Sequence, residues 1–149
     1  MSPPELKTLQ AHARQLLLAA QDGGLQPLLR GKKLGLLCAR EDSEYAQLFR
    51  RAAEALGGHV ARLPVSLSAT SSTQDVQHTA RLLGRLYDAI ECQDMDSALV
   101  ARVREAADVP VFDTLAAAAP HWIDESDDPG SPADRRLSLL QALLLTELA

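Results

Sequence analysis

Short apolar runs alternate along the chain with longer segments whose apolar residues recur at helical spacing. The short runs predict four buried strands, at 32–39, 59–65, 88–93 and 109–114. The longer segments predict five helices, at 3–21, 43–58, 73–87, 96–107 and 137–148. Strands that alternate with helices of about a dozen residues favour a parallel sheet with right-handed crossovers. The pattern therefore predicts a three-layer α/β domain, in which a four-stranded parallel sheet is flanked by helices.

Residues that start and stop helices support these bounds. Pro3 and Pro4 suit a first helical turn, and glycine pairs at 23–24 and 57–58 end the first two predicted helices. Thr73 is the predicted amino-terminal cap of the third helix. A polar, turn-rich stretch at about 124–135 predicts an exposed loop. With 149 residues, the chain is expected to form one domain, 1–149.

Composition narrows the classes of partner. The net charge is -5 and only 3% of the residues are aromatic, so nucleic acid is not expected as a partner. No apolar run reaches the roughly 20 residues that span a bilayer, and the amino terminus lacks a signal pattern. We therefore expect a cytoplasmic protein without a membrane partner. Cys38 and Cys92 lie in predicted strands and are expected to be buried thiols. The histidines at 59, 78 and 121 lack metal-ligand spacing, and neither metal nor cofactor is expected.

Ligands bind sheets of this kind outside the carboxyl ends of the strands. Those ends place residues 39–45, 66–73, 92–96 and 113–124 around one predicted crevice. The glycine fingerprint of dinucleotide binding does not follow the first strand, and neither does a glycine-rich loop ending in Lys-Ser or Lys-Thr. Nucleotide binding of those kinds is therefore disfavoured.

Three stretches in order carry a resemblance to a known family. The stretch LLRGKKLGLLCAREDSEYAQLFRRAAEALGGHVARL contains Leu-x-Gly-Lys at 29–32 and Leu-Gly-Gly at 56–58, and HTARLLGRLYDAI and VPVFDTL follow it. They resemble the amino-terminal, carbamoyl-phosphate-binding half of the ornithine and aspartate carbamoyltransferases, above all the ornithine branch. The resemblance covers nearly the whole chain and implies the α/β fold. The family also has a second domain that binds the amino-acid substrate, which this chain is expected to lack.

The family's phosphate-binding motif is replaced in this sequence. That motif, Ser-Thr-Arg-Thr-Arg, begins the helix after the first strand, and it aligns here with Asp42, Ser43, Glu44, Tyr45 and Ala46. Both arginines are absent, and one of them is replaced by an acid. The resemblance thus implies the fold and, through these departures, the loss of carbamoyltransferase activity.

Two further ligand positions of the family also differ. The arginine after the third strand aligns with Gln93, and the His-Pro-x-Gln motif aligns with His121 and Asp124 when one inserted residue is allowed. No catalytic residue is predicted. The predicted degenerate ligand crevice consists of Asp42, Ser43, Glu44, Tyr45, Gln93, His121 and Asp124.

The charge at the start of the second helix explains how an anion site could be lost. A helix amino terminus carries partial positive charge and unpaired N–H donors that attract phosphate. Asp42 is predicted to cap these donors, and Glu44 adds negative charge, so an incoming dianion meets like charge. Tyr45 is expected to fill the emptied phosphate pocket. Trp122 is either a core side chain or a ligand-stacking one.

These observations predict a carbamoyltransferase-like domain that is catalytically inactive and has a binding or regulatory role. The resemblance implies a homo-trimer or association with a full-length carbamoyltransferase. The alternative is an enzyme or sensor that acts on another small ligand in the same crevice, either carbamoyl phosphate or an amine-bearing ligand suited to Asp42, Glu44 and Asp124. A third hypothesis is a stable remnant without a ligand.

Overall fold

The computed structural model describes residues 2–64, 66–124 and 128–148. Within these ranges the helices are α1 Pro3–Gln21, α2 Glu44–Ala55, α3 Thr73–Leu86, α4 Ser97–Ala106 and α5 Pro132–Leu148. The strands are β1 Lys33–Leu37, β2 His59–Leu63, β3 Ala89–Cys92 and β4 Val111–Asp113. Each predicted helix and strand is present. Val65 of the second predicted strand and residues 125–127 of the predicted loop lie outside the described residues.

The four strands form one parallel sheet in the order β2-β1-β3-β4. Its central strands, β1 and β3, are almost wholly buried because helices cover both faces. Helices α3 and α4 pack over Leu37, Ile90 and Val111 on one face. Helices α2 and α5 cover Leu34 and Leu36 on the other, and α1 packs against α5. The predicted three-layer fold is confirmed.

The two cysteines are buried free thiols, as predicted. Cys38 and Cys92 follow or end the central strands and are 1% and 0% exposed. Burial, followed by the neighbouring charge of Glu91, raises the pKa of Cys92 to about 12. A thiol with so high a pKa is a poor nucleophile at neutral pH, so Cys92 serves packing.

Two predicted caps are wrong by one residue. Ser43, not Asp42, caps α2, because the Ser43 Oγ accepts a hydrogen bond from the backbone N–H of Ala46 at 3.1 Å. Ser72, not Thr73, caps α3 in the same way. In each case the serine lies in extended backbone just before the first helical residue, which is the conformation that capping requires.

Helix α5 begins at Pro132, inside the stretch predicted to be an exposed loop. Ser131 and Asp134 form a reciprocal cap: the Ser131 Oγ accepts from the Asp134 N–H, and the Ser131 N–H donates to Asp134 Oδ2. The first turn of α5 thus contains Arg135 and Arg136. Among the described residues, no helix is long and apolar enough to cross a membrane.

Candidate functional site

A cleft of about 530 Å³ lies between the start of α2, the segment after β4 and the start of α5. Three of the seven predicted crevice residues line it: Tyr45, His121 and Asp124. Arg135 and Arg136 form its opposite wall. The segment 66–73, which was predicted to border the crevice, contributes no side chain to this lining.

The first turn of α2 presents a carboxylate where the resemblance places an arginine. Arg136 Nη1 donates to Glu44 Oε1 at 2.6 Å, and the Glu44 side chain is 78% exposed. The same guanidinium lies 5.3 Å from the centroid of the Tyr45 ring. Tyr45 lines the wall of this cleft, and its filling of the family's phosphate pocket stays a prediction. Helix α5 therefore supplies a cation to this site, and Glu44 already neutralises it.

Two further arginines at or near the turn between β1 and α2 also pair with carboxylates. Arg40 hydrogen-bonds to Asp42 at 3.3 Å, and that hydrogen bond, then the charge of Arg40, lowers the pKa of Asp42. Arg50 pairs with Glu41 at 3.7 Å and with Glu54 at 3.1 Å. Each of these guanidinium groups has a carboxylate partner within the protein.

Arg62 on β2 stabilises the same turn from below. Its Nη2 donates to the carbonyl oxygens of Cys38 and Ala39, at 3.4 and 3.0 Å. These carbonyls belong to the strand end and the first residue of the turn, so Arg62 fixes the backbone that leads into α2. It is a structural arginine here.

The segment that carries His121 is fixed to α1. Gln10 Nε2 donates to the Ile123 carbonyl at 2.6 Å, and the Ile123 N–H donates to Gln10 Oε1 at 2.9 Å. Arg135 pairs with Asp124 at 2.6 Å. His121 itself is exposed at the cleft, two residues before the anchored Ile123.

Charged side chains contact both the ring and the indole N–H of Trp122. The guanidinium groups of Arg14 and Arg135 lie 5.4 and 5.7 Å from the ring centroid. Trp122 Nε1 donates to Asp128 Oδ2 at 2.8 Å, and Asp128 also pairs with Arg14 at 2.6 Å. These contacts favour the structural interpretation of Trp122 over ligand stacking.

Gln93 lies below the cleft, where it is 2% exposed and does not line it. Its Nε2 donates to Glu91 Oε2 at 3.0 Å, while its Oε1 has no hydrogen-bond partner among the described residues. Glu91 accepts the Leu115 N–H at 3.0 Å. Burial raises the pKa of Glu91 to about 7. The pair thus positions the 3₁₀ turn Leu115–Ala118, whose residues form part of the cleft wall.

Three residues of the site were missed by sequence reasoning. The sequence predicts a loop at about 124–135 and a helix from 137, so Arg135 and Arg136 lie outside the predicted helix because the first turn of α5 is polar. Glu91 lies in a strand that the sequence predicts from its apolar residues. The acid in an otherwise buried strand was the signal that could have found it, because a buried carboxylate needs partners.

Metal ligands do not converge here. In the described ranges, no group of three His, Cys, Asp or Glu side chains is arranged to hold a metal ion. The charged and polar side chains that line the cleft are those of Arg135, Arg136, Asp124, His121 and Tyr45.

Comparison with known proteins identifies the fold and its relatives. No protein-family model matches the chain. An ornithine carbamoyltransferase from Cutibacterium acnes is 37% identical over 114 residues, which are 76% of this chain and 34% of that protein. One from Actinobacillus pleuropneumoniae is 34% identical over 111 residues, or 74% of this chain and 33% of that protein. The chain spans about a third of the length of the relatives that it matches.

Solved structures agree with the sequence relatives. The ornithine carbamoyltransferase of Pyrococcus furiosus matches with a TM-score of 0.64 and 28% identity, over 73% of this chain and 35% of that one. The catalytic subunit of M. jannaschii aspartate transcarbamoylase has the same fold, with a TM-score of 0.61 and 22% identity over 75% of this chain and 38% of that one. This chain is an amino-terminal domain of the carbamoyltransferase family.

Within this carbamoyltransferase-family domain, the two positions matched to the family's first-helix arginines differ in environment. Glu44 is exposed beside the cleft, whereas Ala46 is 1% exposed in the core. An arginine at 46 would have to displace packed side chains. Restoring positive charge to the α2 terminus is therefore feasible at Glu44 only.

Proposed function

We propose that this domain is catalytically inactive as a carbamoyltransferase and has a binding or regulatory role. What supports the proposal is that the guanidinium groups around the α2 terminus are already engaged. Arg40, Arg50 and Arg136 pair with carboxylates, and Arg62 donates to two carbonyls. Phosphate recognition requires guanidinium or N–H donors that are free to turn toward the ligand.

Charge at the cleft adds to this barrier. A phosphate that approached Arg136 would have to displace Glu44 and remain beside its carboxylate. The Glu44 side chain is 78% exposed, so solvent screens this contact. At a separation of about 4 Å, the like-charge contact costs from about 1 kcal/mol in bulk water to about 4 kcal/mol at an effective dielectric constant near 20. The upper value is about equal to the whole binding free energy of a millimolar ligand.

The amine-ligand alternative loses support for the same reason. It relied on Asp42, Glu44 and Asp124 as free carboxylates, and each of them is paired with an arginine. An ammonium group would have to displace a guanidinium from each carboxylate. Nothing in the geometry favours that exchange.

Removing the internal carboxylate tests the proposal. We expect Glu44→Gln to release Arg136 and to allow weak, millimolar binding of inorganic phosphate, and we expect no such binding by the wild type. The measurement is an NMR titration that follows the backbone amides of residues 44–46, so that binding elsewhere is not counted. The double variant Glu44→Gln, Arg136→Gln should lose the gain, and Glu147→Gln, the same change on the last turn of α5, should behave as wild type. Binding of phosphate at these amides in the wild type would contradict the proposal.

A further inference from the structure

A second cleft, of about 620 Å³, lies between α3 and α4 on the face of the sheet opposite the first. Arg81 and Arg85 lie one turn apart on its α3 wall, and Arg102 projects from the α4 wall. Gln77 adds an amide to the lining. The lining of this α3–α4 groove carries three arginines and two carboxylates, so it is net positive by one charge in a chain whose net charge is -5.

The arginines of the groove differ from those of the first cleft in having no acidic partners. Over the described ranges, Arg81 and Arg85 form no ion pair or side-chain hydrogen bond, whereas Arg40, Arg135 and Arg136 each pair with a carboxylate. Arg102 is oriented by a hydrogen bond from its Nη2 to the Ser71 carbonyl at 3.1 Å. Its remaining N–H groups are available to the groove.

Two carboxylates also line the groove and restrict what can bind. Glu105 is on the α4 wall and Asp108 follows that helix. Neither lies within ion-pair distance of a groove arginine, since no such pair is formed among the described residues. A ligand that fits both charge types has anionic groups toward α3 and hydrogen-bond donors toward Glu105 and Asp108.

We propose that the α3–α4 groove is a binding site for a small polar molecule with two or more anionic groups, either phosphates or carboxylates. Its volume is within the range of small-molecule sites. Arginines at i and i+4 are about 6 Å apart at their β-carbons, so one ligand can contact both. Guanidinium groups bind phosphate and carboxylate oxygens through paired hydrogen bonds. The site does not depend on the state of the first cleft and stands apart from the function proposed above.

Inorganic pyrophosphate and citrate serve as minimal probes of the two anion types. They are titrated at low ionic strength into the wild-type chain, and the arginine Nε–H signals are followed by NMR. We expect saturable shifts at Arg81, Arg85 and Arg102 with at least one probe. The double variant Arg81→Gln, Arg85→Gln should weaken that binding roughly tenfold or more, because two charged hydrogen-bond partners are lost.

Matched variants distinguish binding at the groove from nonspecific attraction of anions to positive charges elsewhere on the surface. Lys7→Gln, Arg30→Gln removes two exposed positive charges elsewhere and should leave the affinity unchanged. Glu105→Gln should raise the affinity for either bare anion, because it removes a like charge from the wall. Whichever of the two probes binds identifies the anion type. The proposal is overturned if neither probe shifts the three arginine signals, if the Arg81–Arg85 double variant binds as wild type, or if the Lys7–Arg30 control loses affinity equally.

Discussion

At the scale of single residues, the buried acid Glu91 makes the stability of the fold depend on pH. Its side chain is 0% exposed, and burial raises its pKa from 4.5 to about 7, against the opposing effect of hydrogen bonds from Gln93 and Leu115. A carboxyl whose pKa is higher in the folded state disfavours folding when it is ionised. Its contribution is therefore most favourable below about pH 4.5, declines as the pH rises to about 7, and is constant above that.

Glu91→Gln removes this titration, and once the Gln93 amide turns over, the new amide N–H can donate to the Oε1 of Gln93, which is otherwise unpaired. We expect the free energy of unfolding of the variant, relative to wild type, to increase by on the order of 3 kcal/mol between pH 4.5 and 8. Urea unfolding at several pH values measures it. Glu147→Gln, an exposed acid on α5, should run parallel to wild type. If the free energy of unfolding of Glu91→Gln also runs parallel to that of wild type across this pH range, the pKa of Glu91 is not raised in the folded state.

Which residue caps a helix was the least predictable feature at this scale. Asp42 and Ser43 are both good caps, and only the backbone conformation decides that Ser43 is the one used. Ion pairs between distant segments, such as Glu44 with Arg136, leave no local signal at all. Of the seven predicted crevice residues, Tyr45, His121 and Asp124 therefore line one cleft, while Gln93 is buried and does not line it.

At the scale of elements, α1 fixes the segment that carries His121. The two hydrogen bonds between Gln10 and the Ile123 backbone, at 2.6 and 2.9 Å, join residues far apart in the chain. Gln10 is 6% exposed, so its amide is shielded from water, while Ile123 is 61% exposed and the two hydrogen bonds are partly buried. Helix α1 thus determines the shape of the cleft without contributing a side chain to its lining.

Gln10→Met keeps the size of the side chain but leaves the Ile123 N–H and carbonyl unpaired. We expect it to cost about 1–3 kcal/mol of unfolding free energy. Urea unfolding measures the loss of stability. Faster hydrogen exchange of the Ile123 amide would show that the loss arises at this hydrogen bond. Gln15→Met, on the exposed face of α1, is the matched control and should be neutral. Equal effects of the two substitutions would contradict the role of Gln10.

The elements themselves were predictable because hydrophobic periodicity and the buried strands leave strong local patterns. The start of α5 was the exception. Its first turn contains Asp134, Arg135 and Arg136, which are as polar as a loop, and its cap depends on the pairing of Ser131 with Asp134. A Pro at the first helical position was the available signal.

At the scale of the whole molecule, self-association stays a prediction. Leu82 and Leu86, one turn apart on α3, are 49% and 54% exposed, and such a pair suits burial against another chain. We expect sedimentation equilibrium to give a mass three times the chain mass of 16.1 kDa, or a complex when a full-length carbamoyltransferase is added. A monomer mass under both conditions would contradict the binding role.

The central claim is that the phosphate position of this carbamoyltransferase-family domain is closed by the domain's own ion pairs. The most direct test is an NMR titration of the wild-type chain with carbamoyl phosphate, followed at the backbone amides of Glu44, Tyr45 and Ala46. We predict no saturable shift at these amides at millimolar ligand. Saturable shifts there, lost in Arg136→Gln and retained in Arg81→Gln, would show a working carbamoyl-phosphate site and contradict the claim.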